Sequence, residues 1–356
     1  MNAHLRANLW LLALTVLLCC MLYPLTLWAI GQAVFPDKAS GSLVDEKGNP
    51  TREEAKARGS RLIGQPFSGP EFFQPRPSAT SPAYNASASG ASNYGANNPK
   101  LRARVAQTLG PIVKYRSGPK KDSLVGPDIE KWFQKDHFQG KPHLVAQWAR
   151  AYSFAAQDWV KADPLNGDYV RAWQNAHPRE VEEWRKDNPD VAEPKPEDLA
   201  VPFFVSFSHT FPGTWPGVME KKTPDGKSEK RIEPLSEDTN IQANFFDMWL
   251  QEHPGVELVE VPADLVMASG SGLDPHITLA NALYQLDRVV DAWAEKTKAD
   301  KAAVRKSIEQ LLNDKAEAPF GGLAGVKLIN VLEVNLALPD VMKNLSRHAA
   351  GGGGSA

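Results

Sequence analysis

Residues 269–277 read SGSGLDPHI, a glycine-rich turn that we predict opens a helix. Asp274 followed by Pro275 is typical of an N-cap and a first helical position. Ser271, Asp274 and His276 are also the residue types of a hydrolytic site, and glycines ahead of a helix suit phosphate binding. We favour the structural interpretation, because Asp274 and His276 would not share a helix face and no G-x-S-x-G or P-loop pattern surrounds them.

The flanking segments predict alternating helices and strands. Residues 256–269 and 320–338 have the apolar content of strands, the latter after a glycine turn. Between them, Asp300 is expected to cap a helix that follows the helix from 275. Further upstream, Asn98 and Pro99 predict a helix over 99–109, and RLIGQPF at 61–67 resembles a strand.

Composition excludes several functional classes. The 356 residues contain 40 Lys and Arg against 42 Asp and Glu, so broad electrostatic capture of nucleic acid is not expected. The only cysteines are the adjacent Cys19 and Cys20. A disulfide framework and a cysteine-based metal site are therefore excluded, and we predict no metal site.

One apolar run lies near the N-terminus. No charged residue occurs from Ala7 to Pro36, and about 20 apolar residues suffice to cross a bilayer. We predict a transmembrane helix over 9–34 after a short N-terminus, 1–8, with a kink at Pro24. A cleaved signal peptide fits less well, because the apolar run is too long. The mixed flanking charges do not decide the orientation.

Seven of the ten tryptophans lie between residues 111 and 257. Four of them begin the pattern Trp-x-x-x-[Asp/His/Asn]-Pro, as in WQNAHP. The residue before proline leaves the helical region, so each copy predicts a short helix that ends there with its indole facing inward. We expect His177 and His253 to satisfy helix-terminal carbonyls rather than to bind haem or metal.

Several motifs occur together in one order: GSRLIGQPF, FFQPRPSAT, YNASASGASNYG, VPADLVMASGSGLDPHIT and LAGVKLINVLEVNLAL. In this order they resemble the C subunit of the Kdp potassium-transporting P-type ATPase, the KdpC family. The residues carrying the resemblance, for which we expect structural or partner contacts and no catalytic role, are Gly64, Gln65, Arg76, Pro77, Ser78, Tyr84, Asn85, Ser92, Asn93, Ser269, Gly270, Ser271, Gly272, Leu273, Asp274, Pro275 and His276.

The resemblance implies a non-catalytic, accessory subunit of an ATP-driven potassium uptake pump. Its implied partners are an ATP-hydrolysing P-type ATPase subunit and a potassium-binding, channel-like subunit, which would handle ATP and potassium, with no cofactor on this chain. It also implies a single-pass protein of the bacterial plasma membrane, with a cytoplasmic N-terminus and an extracytoplasmic α+β domain. The family's role as a catalytic chaperone that raises ATP affinity would then be transmitted through the assembly.

The chain departs from the family over 111–257, where ordinary members have a short connection. We therefore expect a discontinuous α+β domain over 37–110 and 258–340, a mainly α-helical tryptophan-rich insert, and a flexible tail over 341–356. Two alternatives remain: a membrane-anchored extracytoplasmic hydrolase using Ser271, His276 and Asp274, with Ser269 nearby, and a stand-alone binding module.

Overall fold

The computed structural model describes residues 2–80, 82–136, 143–222 and 228–351. These residues form two compact units. The first comprises Met1–Ser92 and Pro262–Ala356, and the second comprises Asn93–Val261. The helices are α1 (Asn2–Thr15), α2 (Tyr23–Val34), α3 (Pro36–Ala39), α4 (Pro99–Leu109), α5 (Gly126–Phe133), α6 (Leu144–Ala151), α7 (Ser153–Ala162), α8 (Pro164–Ala176), α9 (Pro178–Asp187), α10 (Ala200–Thr210), α11 (Thr239–Glu252), α12 (Ala263–Val266), α13 (Leu279–Thr297), α14 (Lys301–Lys315) and α15 (Val331–Gly351).

Six short strands form antiparallel pairs in the described ranges. The pairs are β1 (Leu43–Val44) with β2 (Gly59–Ser60), β3 (Trp215–Lys222) with β4 (Ser228–Leu235), and β5 (His276–Thr278) with β6 (Leu328–Asn330). The chain is thus one apolar N-terminal helix followed by a mixed body of helices and strands.

The apolar N-terminal helix is continuous through α1, a π-helical segment over Val16–Leu22, and α2. Over Ala3–Val34 it is long and apolar enough to cross a membrane: its most apolar 18 residues have a mean hydropathy of 2.1, and none of that stretch is buried. The π-helical segment lies directly before Pro24, whose missing N–H interrupts the regular hydrogen bonding. The hydroxyls of Thr15 and Thr26 donate to carbonyls of their own helix, 2.8 and 2.7 Å away.

The core of the first unit forms where α13, α14 and α15 pack together with the β5–β6 pair. The helix expected after Asp300 is confirmed as α14, and Asp300 caps it by accepting a hydrogen bond from the backbone N–H of Ala303. Leu283 lies on the outer side of α13 and is 46% exposed. The buried side chains of this core include Phe73, Ile277, Leu286, Val290, Ile308, Leu312, Ile329, Val334 and Leu338.

The prediction that Asp274 caps a helix is wrong. Residues 276–278 form strand β5, and the next helix begins at Leu279 with Thr278 as its N-cap. The Thr278 hydroxyl accepts from the backbone N–H of Asn281, at 3.1 Å. The Asp264 carboxylate in turn accepts from the backbone N–H of Thr278, at 2.7 Å.

Three strand predictions and the tail prediction also fail. Residues 256–269 contain α12 and an isolated bridge at Leu258, and 61–67 form a turn and irregular backbone. In 320–338 only 328–330 are strand, and α15 follows. Val331, Val334, Leu338 and Met342 are buried on one face of α15 at helical spacing, and α15 continues to Gly351, so the predicted tail begins as packed helix rather than as a flexible segment.

The second unit is mainly helical, as predicted, with the β3–β4 hairpin as an addition. The predicted helix Pro99–Leu109 is confirmed, and the Asn98 side chain accepts from the backbone N–H of Lys100. An aromatic core joins the helices. Its fully buried rings are Trp148, Trp215, Phe133, Phe203, Phe204 and Phe245, with Trp159, Trp173, Trp184 and Trp249 packed against them.

The Trp-x-x-x-[Asp/His/Asn]-Pro copies end helices as predicted. The His177 ring stacks on Trp173 and places Nδ1 2.9 Å from the Trp173 carbonyl oxygen. His253 repeats this on Trp249 at 2.7 Å. Each histidine therefore satisfies a helix-terminal carbonyl of the tryptophan four residues earlier.

Two segments, through which the chain enters and leaves most of the second unit, pair with each other. Tyr115 forms an antiparallel bridge with Leu258, and the N–H of Arg116 donates to the Glu257 carbonyl at 2.9 Å. The predicted insert over 111–257 thus has close ends. Helix α4, expected in the same domain as 37–92, instead packs on α11 inside the second unit.

Candidate functional site

The SGSGLDPHI stretch forms a loop that is fastened to the RPSAT segment. The Ser78 hydroxyl donates to the Gly272 carbonyl at 2.8 Å and accepts from the backbone N–H of Tyr84 at 2.9 Å. The Gly90 N–H donates to the Ser271 carbonyl at 3.0 Å. The Tyr84 hydroxyl closes the arrangement by donating to the Arg76 carbonyl at 2.7 Å. Burial raises the pKa of Tyr84 to about 12, so this donor keeps its proton at neutral pH.

Two of the motif glycines lie where a side chain would collide. Gly272 has φ +69°, and a Cβ there would lie 2.7 Å from the Gly90 carbonyl oxygen. A Cβ on Gly64 would lie 3.0 Å from the Asp274 carbonyl oxygen and 3.2 Å from the Tyr84 ring. The Gly64 N–H also donates to the Leu273 carbonyl at 2.7 Å. These glycines therefore allow close backbone approach, which needs no ligand.

Arg76 and His276 surround the Asp274 carboxylate. Oδ1 accepts from the backbone N–H of His276 at 2.9 Å and lies 3.0 Å from its ring Nδ1, and Oδ2 lies 3.7 Å from Arg76 Nη1. Burial raises the pKa of Asp274, but the hydrogen bonds from His276 and the charge of Arg76 outweigh burial and hold this pKa below its usual value. Arg76 also donates to the Met267 and Ala268 carbonyls, each at 3.3 Å.

The contact between Asp274 and His276 contradicts our argument that these residues do not meet. Their segment enters a strand, in which residues two apart lie on the same side. A hydrolytic triad also needs a serine hydroxyl on the second ring nitrogen of the histidine. Ser269 and Ser271 instead accept from the backbone N–H groups of Asp274 and Leu273. Within the described ranges no hydrogen bond joins either hydroxyl to His276.

Some of the remaining motif residues bond to the backbone, and the others are described by their position in or near the loops. The Gln65 amide lies between the Arg58 carbonyl and the Ser60 N–H, each 3.1 Å away, and we assign it the orientation in which its nitrogen donates to the first and its oxygen accepts from the second. Asn85 accepts from the Ser87 N–H at 3.0 Å. Gly270 and Pro275 lie within the loop itself, and Pro77 is half-buried beside Arg76. Ser92 and Asn93 lie on either side of the boundary between the two units, and Asn93 is exposed with φ +52°.

Sequence reasoning missed a buried cradle around residues 70–74. Asn335 donates to the Phe73 carbonyl and accepts from the Phe73 N–H, both at 2.9 Å. Gln285 contacts the next residue in the same way, accepting from the Gln74 N–H at 2.7 Å and donating to its carbonyl at 3.0 Å. Arg288 donates to two further carbonyls of the segment, at 2.7 and 3.0 Å. The sequence contains one signal for this cradle: Gln285 and Arg288 are three residues apart, which places both polar side chains together beside the apolar face of α13.

The described residues contain no group of three or more histidine, cysteine, aspartate or glutamate side chains arranged to hold a metal ion. The polar atoms of the motif loops mostly bond to backbone. The arrangement can therefore fix the shape and position of two loops, and it presents the His276 ring and the 82–92 segment at the surface.

Comparison with known proteins gives a family. A family model described as KdpC, K⁺-transporting ATPase, c chain, matches residues 5–130 and 234–340, about two thirds of the chain. The match leaves 131–233 unassigned, a narrower interval than the predicted insert over 111–257. The matched ranges include α4, α11 and the first part of α5, all in the second unit.

Curated relatives carry the same description. The potassium-transporting ATPase KdpC subunit 2 of Staphylococcus aureus (strain Mu50) is 41% identical over 112 residues, which are 29% of this chain and 57% of the relative. The KdpC subunit of Koribacter versatilis is 37% identical over 118 residues, 33% of this chain and 58% of the relative. That of Methylococcus capsulatus is 44% identical over 103 residues, 29% and 50% respectively. The chain thus spans between 50% and 58% of the length of these relatives.

Proposed function

The chain belongs to the KdpC family of K⁺-transporting ATPase c chains, and from this premise we propose that it is a non-catalytic, accessory subunit of an ATP-driven potassium uptake pump. The observation that carries the proposal is the match itself, which covers the apolar helix and both parts of the first unit in order. The relatives are named as subunits of a potassium-transporting ATPase.

The geometry of the motif loops supports an accessory role. Ser78, Tyr84 and Arg76 bond mainly to backbone carbonyls and N–H groups, so they hold loops in place. A reacting group would instead need a free polar atom within reach of a substrate. We therefore assign these side chains to positioning a surface that other subunits contact.

The partners in this proposal are an ATP-hydrolysing P-type subunit and a potassium-binding, channel-like subunit. These two subunits handle ATP and potassium, and this chain binds neither directly. In the family's role of catalytic chaperone, the chain raises the ATP affinity of the ATPase subunit through contacts within the assembly. Such an effect is a coupling free energy between sites and requires no shared contact with the nucleotide.

The proposed location is the bacterial plasma membrane. The Ala3–Val34 helix spans the bilayer once, since its exposed apolar surface has no partner within the described part of the chain. The N-terminus is cytoplasmic, and the parts of both units that follow residue 34 are extracytoplasmic. In this orientation cytoplasmic ATP is separated from the units by the membrane, which is why we propose transmission through the assembly.

Co-purification tests the proposed function. The tagged chain is expressed with its chromosomal neighbours in cells that lack other potassium uptake, and membranes are extracted in mild detergent. We expect an ATPase subunit and a channel-like subunit to co-purify, and growth at low potassium to require this chain. Recovery of the chain alone, with growth independent of it, would contradict the proposal.

Cysteine labelling tests the orientation. In a background in which Cys19 and Cys20 are replaced by serine, Gln310→Cys places a thiol at an exposed position of α14. A membrane-impermeant thiol reagent should label this variant in intact spheroplasts and should label Asn2→Cys only after lysis. The reverse result would place the units in the cytoplasm and would make direct contact with ATP the better explanation.

A further inference from the structure

The apolar helix is longer than the hydrocarbon layer of a membrane. Its 32 residues, Ala3–Val34, extend about 48 Å at about 1.5 Å per residue, whereas the hydrocarbon layer is about 30 Å thick. The mainly apolar part, residues 9–30, accounts for about 33 Å of that length. Trp28 is 65% exposed near the end of this part, and tryptophan is enriched at the membrane interface. In the proposed location Gly31 therefore lies in the headgroup layer, which is about 6 Å deep on each side.

The chain turns back at this level instead of continuing away from the membrane. Phe35 precedes a proline and ends the helix with ψ 54°, and α3 follows directly. Ala39 of α3 packs beside Gly31, where an added Cβ would lie 3.7 Å from the Ala39 Cβ. Ser42 then donates its N–H to the Asp37 carbonyl at 2.8 Å. The segment that follows the helix is thus held beside the last helical turns.

A segment that comes later in the sequence is fastened to the same corner. The Ser60 hydroxyl donates to the Gly41 carbonyl at 2.7 Å, and the Arg61 N–H donates to the Ser42 carbonyl at 3.0 Å. The Leu62 N–H in turn donates to the Ser60 hydroxyl at 3.1 Å. Leu62 is 61% exposed. These hydrogen bonds therefore fix an exposed leucine next to the end of the apolar helix.

We propose that Phe35, Lys38 and Leu62, here called the interfacial patch, contact the lipid headgroup layer of the membrane that the helix spans. This inference rests on the proposed membrane location. Phe35 is 53% exposed, and Lys38 Nζ lies 5.8 Å from the centre of its ring. A lysine in this position can cover the ring with its aliphatic stem while its ammonium reaches lipid phosphates. Apolar side chains beside a cation suit the boundary between headgroups and acyl chains.

The connection to the helix identifies lipid as the occupant. A single exposed leucine on a protein surface needs no explanation. Leu62, however, is joined through Ser42 and α3 to Gly31, so the headgroup layer is within its reach whenever the helix spans the membrane. No further protein is required for this contact, which removes apolar surface from water. The interfacial patch therefore limits how far the first unit can move from the bilayer, which a single helix would not do.

Depth-dependent fluorescence quenching tests the interfacial patch. Leu62→Cys and Phe35→Cys are made in the background in which Cys19 and Cys20 are serine, labelled with a fluorophore, and reconstituted as the full chain into vesicles of phosphatidylethanolamine and phosphatidylglycerol. We expect a lipid nitroxide near the headgroup to quench both labels at least threefold more than a label at Gln310→Cys, which is exposed on α14. A nitroxide at the end of the acyl chain should quench them less. Their melting temperatures should match that of the unmodified chain.

A deep control separates this inference from the proposed location. A label at Leu18→Cys, near the middle of the helix, should be quenched most by the nitroxide at the end of the acyl chain. If it is not, the helix does not span the membrane, and the proposed location fails together with the patch. If it is, but Leu62→Cys is quenched no more than Gln310→Cys, the patch is refuted and the location stands. Loss of lipid quenching at Leu62→Cys in the assembled complex would also overturn the inference, because another subunit would then cover the patch.

Discussion

Asn335 is a buried polar side chain whose removal should destabilise the first unit. It is 2% exposed, and it both donates to the Phe73 carbonyl and accepts from the Phe73 N–H, at 2.9 Å. Phe73 itself is 1% exposed, so water cannot replace the lost partner. Asn335→Ala therefore leaves a buried N–H and a buried carbonyl unsatisfied.

The expected cost follows from those two groups. A buried polar group left without a partner costs roughly 1–3 kcal/mol, so two of them give a loss of about 3 kcal/mol in the free energy of unfolding. Asn335→Asp should cost at least as much as Asn335→Ala, since its carboxylate still accepts from the Phe73 N–H but is buried without a counter-ion and faces the Phe73 carbonyl oxygen. Chemical denaturation of the detergent-solubilised chain measures the change.

Amide hydrogen exchange identifies the cause. If the cradle is responsible, the Phe73 amide should lose protection in Asn335→Ala, whereas exchange in the second unit should not change. Asn313→Ala is the matched control, because that exposed side chain donates only to a carbonyl of its own helix, and it should cost less than about 0.5 kcal/mol. A loss in Asn335→Ala no larger than in the control would refute the reasoning.

Three further results are expected. Thr278→Ala removes the hydroxyl that accepts from Asn281 and should lower the free energy of unfolding by about 1 kcal/mol, with Thr278→Ser unchanged, as measured by denaturation. Burial raises the pKa of Asp274, but the hydrogen bonds to its ionised form outweigh burial, so the stability that it adds should be present above about pH 4 and lost as the pH falls further; urea midpoints of Asp274→Asn and the unmodified chain should converge there. Trp173→Ala loses a largely buried indole and its bond to Ser206 and should cost about 3–5 kcal/mol, which calorimetry should detect as a lower melting transition of the second unit only.

Local signals predicted the helices whose ends depend on neighbouring residues alone. Asn98 before Pro99, Asp300, and the histidine four residues after Trp173 each act within one turn of the backbone that they satisfy. The short range of these interactions makes them visible in the sequence. The grouping of tryptophans in one core followed from the same reasoning, because each copy presents one apolar ring per short helix.

The segment around Asp274 shows why the same signal can mislead. Its carboxylate accepts from an N–H two residues ahead, which an N-cap also does, but here the acceptor fixes a turn that enters a strand. The deciding interaction is the pairing of His276 with Asn330, more than fifty positions away. Residues 331–338 mislead in the same way, because a short apolar run fits a strand or a helix equally well. Only packing on α13 and α14 makes this run a helix.

The motif residues that identify the family and the patch that we propose for lipid contact are different parts of the first unit. Ser78, Tyr84 and the 269–274 loop hold one another through contacts with backbone groups, and the close approach at Gly272 leaves no room for a Cβ there. Leu62 is an ordinary exposed leucine in the sequence, and only its hydrogen-bonded connection to the end of the apolar helix gives it a role. A search for catalytic or ligand-binding residue types therefore finds the motif loops and passes over the interfacial patch. Substitutions that disturb the motif loops should lower the stability of the chain, whereas a cysteine at position 62 should report lipid contact without changing stability, and this difference makes the two roles separable by experiment.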